Sequence, residues 1–76
     1  MNWREYIISD KDILVGKPTI KGTRISVELI LELLANGWTE KMIFESYPRL
    51  TENDLKAVKF FTAETRGRKV GAENTL

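Results

Sequence analysis

Cysteine and histidine are both absent from the 76 residues. No disulfide can staple the chain, and the usual nitrogen and sulfur zinc ligands are missing. The same gap removes the imidazole base and the thiolate nucleophile that serve most proton-transfer and covalent catalysis. No apolar run approaches the roughly 20 residues that span a bilayer. The opening MNWREYIISD lacks the basic region and apolar core of a signal peptide. Charge of one sign is also lacking, since 12 Lys and Arg face 11 Asp and Glu, a net +1. These absences set an expectation of a cytoplasmic, non-enzymatic protein with no cofactor, no metal, no membrane contact and no small-molecule substrate.

A 42% hydrophobic content suits a globular domain and is too high for a disordered chain. A chain of this size buries only about 60% of its unfolded surface, so one core alone is marginal. Oligomerisation or docking on a partner is then the expected source of further stability. The charges are unevenly placed. Residues 17–24 hold three positive charges and no negative one, residues 25–55 hold two positive and six negative, and residues 56–76 hold five positive and two negative. A polyanionic partner would meet one or both basic segments.

In the first part of the chain, Tyr6-Ile7-Ile8 is a short β-favouring run stopped by Ser9-Asp10. Two further β-branched runs, Pro18-Thr19-Ile20 and Thr23-Arg24-Ile25, flank Lys21-Gly22 and suggest a hairpin turned by Gly22. Ser26 is placed to cap a helix in which Leu29, Ile30, Leu33 and Leu34 recur at helical spacing, and Asn36-Gly37 supplies its stop. Thr39 caps a second helix bearing Met42, Ile43, Phe44 and Tyr47, which must end before Pro48. Thr51 and Asp54 form a capping-box-like start to a third helix with Leu55, Val58, Phe61 and Thr62 inside. Gly67 is expected to end that helix. The reading is one domain over residues 1–66 and a flexible basic and polar tail over 67–76.

GKPTIKGTR, residues 16–24, superficially suggests a phosphate loop. A P-loop needs G-x-x-x-x-G-K followed by Ser or Thr, and here Gly22 is followed by Thr23-Arg24. Ser9, Ser26 and Ser46 have no base to activate them, and the carboxylates are scattered. The helix pair is the stronger candidate. A capped helix, the link YPRL and a second capped helix with a basic flank have the layout of a helix-turn-helix. Lys56, Lys59 and Arg66 would meet phosphates or guanine edges, with Thr51 at the helix start near a phosphate. The competing explanation is a solvated lysine face. Trp3, near the chain start, suits either an oligomer interface or a surface anchor.

The run Gly16-Lys17-Pro18-Thr19-Ile20-Lys21-Gly22-Thr23-Arg24-Ile25-Ser26-Val27, the helix ending in Asn36-Gly37, and Tyr47-Pro48-Arg49-Leu50-Thr51 with Asp54-Leu55 resemble a small prokaryotic family of unknown function, number 433 in the DUF series. The match runs over roughly residues 7–64. The resemblance implies a mainly α, three-helix, homeodomain-like or winged helix-turn-helix domain with a short N-terminal β-hairpin, forming a homodimer. It also implies a VapB-like antitoxin that binds its own operator DNA and covers a PIN-like ribonuclease toxin. Arg66, Arg68 and Lys69 would then form the basic segment that meets the toxin. Within such a domain GKPTIKGTR is structural first. Arg24 is left open between an ion pair with Glu28 or Glu32 and a phosphate contact. The alternatives are a protein-interaction module and a stand-alone transcription regulator with no toxin.

Overall fold

The computed structural model describes the backbone of residues 1–73 and the side chains of residues 1–65. A 3₁₀ turn, Trp3–Glu5, leads into β1, Ile7–Ile8. A second 3₁₀ turn, Leu14–Gly16, precedes β2, Thr19–Ile20, and three helices follow: α1, Val27–Ala35; α2, Glu40–Ser46; and α3, Glu52–Glu73.

β1 and β2 pair antiparallel, Ile7 opposite Ile20 and Ile8 opposite Thr19. The strand pair therefore differs from the hairpin expected around Lys21-Gly22. Gly22 does turn the chain, with φ +82°, and the Thr23 amide closes the turn on the Ile20 carbonyl at 3.0 Å. The return past Ile25 makes only an isolated bridge, Thr19 to Ser26, because the chain enters α1 at once. Thr23 holds this turn twice over: its hydroxyl donates to the Ile20 carbonyl at 2.8 Å and accepts the Ile25 amide at 3.0 Å. Space for a side chain at Gly22 is open, so the positive φ alone demands glycine there.

Each helix starts on a side-chain cap read from the sequence. Ser26 Oγ accepts the Leu29 amide at 3.0 Å, and Thr39 Oγ1 accepts the Met42 amide at 3.2 Å. Thr51 and Asp54 form a reciprocal capping box: Asp54 donates its amide to Thr51 Oγ1 at 3.2 Å, and the Thr51 amide donates to Asp54 Oδ2 at 2.9 Å. α1 ends as a Schellman motif, with the Trp38 amide on the Leu33 carbonyl, the Gly37 amide on the Leu34 carbonyl and Gly37 at φ +91°. α2 stops at Tyr47, which leaves the α region, with φ −127° and ψ 76°, ahead of Pro48.

Gly67 does not end the third helix. α3 continues through it to Glu73, since one glycine in a helix costs only about 1 kcal/mol relative to alanine and does not prohibit the conformation. Residues 67–73 are thus helical in backbone.

A single core gathers Ile7, Ile20, Val27, Ile30, Ile43, Leu50, Leu55, Ala57 and Val58, so both strands and all three helices contribute to it. In α1 the packed residues are Val27, Ile30, Leu31, Leu33 and Leu34. Leu29, expected inside, lies outside this cluster. A helix with leucine or isoleucine on several sides leaves its inner face undecided until neighbours exist. Met42, one of the apolar residues of α2, is 42% exposed.

Candidate functional site: the outer face of α3

The residues of α3 divide cleanly around the helix. Asp54, Leu55, Ala57 and Val58 are buried, with Phe61, Thr62 and Thr65 half-buried. At about 100° per residue the exposed Glu52, Asn53, Lys56, Lys59, Phe60, Ala63 and Glu64 form one continuous stripe. Lys56 lies near the centre of this stripe, with Asn53 and Phe60 on one side and Lys59 on the other.

The two lysines differ. Lys59 Nζ donates to Glu40 Oε2 at 2.7 Å, which ties α3 to the start of α2. Its charge is locally compensated, so its weight as a phosphate contact is reduced. Lys56 makes no ion pair among the described residues. Thr51 is exposed, yet its hydroxyl already accepts the Asp54 amide, and two carboxylates, Glu52 and Asp54, occupy the first turn. The positive end of this helix is thus already met by its own carboxylates, which leaves a phosphate little to gain there. The side chains of Arg66, Arg68 and Lys69 lie outside the described residues.

Arg24 makes no ion pair among the described residues; Lys17 takes Glu28 instead, at 3.6 Å. Lys21 and Arg24 are exposed on either side of the Gly22 turn.

Trp3 has an intramolecular role. Its ring meets Phe61 edge-on, with centroids 4.9 Å apart, and its Nε1 donates to Glu64 Oε2 at 2.9 Å. Arg4 stacks over the indole at 4.4 Å and pairs with the same Glu64 oxygen at 3.5 Å. A long third helix thus gives the chain start something to pack on, so Trp3 needs no second subunit for its cover. Sequence reasoning passed over Asn53 and Phe60. The signal was their seven-residue separation with Lys56 between them, on one helix face.

Among the described residues no group of carboxylates could hold a metal ion, and no helix is long and apolar enough to cross a membrane.

A model of the DUF433 family, proteins of unknown function, matches residues 7–61. The chain belongs to the DUF433 family. The DUF433 chain is 29% identical over 68 residues to the uncharacterized protein y4eO of Sinorhizobium fredii, covering 87% of its own length and 31% of that relative. It therefore spans about a third of the curated relative it matches. The crystal structure of a DUF433 member from Anabaena variabilis is similar, with a TM-score of 0.76 at 25% identity over 96% of this chain and 71% of that one. The match begins at β1 and ends at Phe61, so the family segment includes the GKPTIKGTR turn and the exposed stripe as far as Phe60.

Proposed function

We propose that this DUF433 chain is a DNA-binding antitoxin that represses its own operon and neutralises a PIN-like ribonuclease toxin. One observation carries the reading: α2 and α3 are separately capped, joined only by residues 47–51, and leave the outer stripe of α3 open. That layout is the one a homeodomain-like or winged helix-turn-helix presents to the major groove. Lys56, at the middle of the stripe, is the cation available for phosphate or base. Lys59 has a lesser part, because Glu40 must release it, and Thr51 serves the helix start before any ligand. Arg66, Arg68 and Lys69 are assigned to the toxin. Two copies on a palindromic operator complete the picture.

The experiment is duplex binding across a salt series. Lys56→Gln is expected to lower the slope of log affinity against log salt by roughly one unit, and Lys59→Gln by less. A slope unaffected by Lys56→Gln would move the interface off α3.

A second reading is a protein-interaction module without DNA. It is favoured by the charge of residues 1–65, nine Lys and Arg against ten Asp and Glu, or −1. It predicts weak duplex binding that vanishes at physiological salt.

A further inference from the structure

We propose that the outer face of α3 reads an A·T-rich half-site through the major groove. In this assignment Asn53 pairs with an adenine edge, and Phe60 and Ala63 lie against thymine methyl groups. The assignment rests on the DNA-binding reading above and names the target class of that same face.

The chemistry of the stripe supports it. Asn53 is exposed in the first turn of α3, and its amide has no hydrogen-bond partner among the described residues. An asparagine amide offers one acceptor and one donor group in the spacing of adenine N7 and N6. Phe60, seven residues on, is a large apolar side chain that stays 50% exposed. Thymine is the base that presents a methyl group to the major groove, and apolar side chains recognise it there. Ala63 extends the same apolar strip one turn further. Among the described side chains of α3 the groups able to meet guanine are two lysines, Lys56 and the Glu40-paired Lys59. Glu52, at the edge of the stripe, accepts from a cytosine amino group and so tolerates one G·C pair at that end. Side chains three to four residues apart on a recognition helix meet successive bases, which Asn53, Lys56, Phe60 and Ala63 satisfy.

The test uses the full chain with alternating dA·dT and alternating dG·dC duplexes at fixed moderate salt. The A·T duplex should bind about tenfold or more tighter, the scale of one good base contact. The adenines are then replaced by 7-deazaadenine, which removes the N7 acceptor, and separately the thymines by uracil, which removes the methyl. Each replacement is expected to weaken the wild type several-fold, about the loss of one base contact. Asn53→Ala should no longer sense the deaza substitution, and Phe60→Ala should no longer sense uracil. Because the chemical change is made on the DNA, the wild-type result does not depend on how any variant folds. Equal affinity for the two duplexes, or an A·T preference blind to both replacements, overturns the assignment while DNA binding stands. Absence of duplex binding by the wild type overturns the DNA reading and the assignment with it.

Discussion

Thr62 faces inward on α3, and its hydroxyl is buried without a hydrogen-bond partner. Desolvating such a group without compensation costs on the order of 1–3 kcal/mol. Valine keeps the shape and removes the hydroxyl, so Thr62→Val is expected to stabilise the fold by about 1 kcal/mol. Thermal unfolding followed by circular dichroism should show the midpoint rising by roughly 4–8 °C in a domain of this size; a lower midpoint would mean that the hydroxyl has a partner after all. Val15 presents a different local cost. It sits at φ 55°, in the left-handed region, with its side chain 91% exposed, so no packing compensates the strain. The surrounding loop imposes the conformation: the Gly16 amide donates to the carbonyls of Asp10 at 3.1 Å and Ile13 at 3.2 Å. Asparagine tolerates this region where valine does not. Val15→Asn should raise stability by about 1 kcal/mol, read from the denaturant midpoint at unchanged slope.

At the scale of elements, what was legible in the sequence was local. Ser26, Thr39 and the Thr51–Asp54 box announce helix starts because a cap needs only residues three apart, and Asn36-Gly37 announces a stop for the same reason. The partner of β1 was not legible, since Ile7 and Ile8 meet Ile20 and Thr19 across a loop whose closure no local pattern encodes. Trp3 on Phe61 and Lys59 on Glu40 are likewise contacts between distant segments, so an indole became a packed residue and a presumed phosphate contact became half of an ion pair. In the candidate site Lys56 could be read from charge alone, whereas Asn53 and Phe60 emerged only once burial had sorted the faces of α3. Gly67 departs from expectation because a glycine weakens a helix without stopping it, and α3 runs through it. Gly67→Ala is therefore expected to strengthen the last turns. Amide exchange over residues 66–73 should slow about fivefold, the equivalent of roughly 1 kcal/mol of propensity. The unfolding midpoint of the whole domain should barely change, and unaltered exchange would place that segment outside the helix in solution.

Across the whole molecule, packing and charge are separated along the sequence. The core ends with Val58 and the half-buried Phe61, and Thr65 closes its turn by donating its hydroxyl to the Phe61 carbonyl at 2.8 Å. Residues 66–76 carry three positive charges and one negative, or +2, against the −1 of residues 1–65. The net +1 of the chain thus comes from the segment that follows the core. Ending the chain after Thr65 should remove this charge without opening the core, so the unfolding midpoint is expected to stay within a few degrees. Affinity for an acidic protein partner should fall by about tenfold or more at low salt, chiefly through slower association, and the difference should shrink as salt screens the pair. Surface-based kinetics on an acidic protein partner of the kind proposed above would read both quantities. An association rate indifferent to the truncation would move partner recognition back onto the body, where the exposed stripe of α3 is the surface left for it.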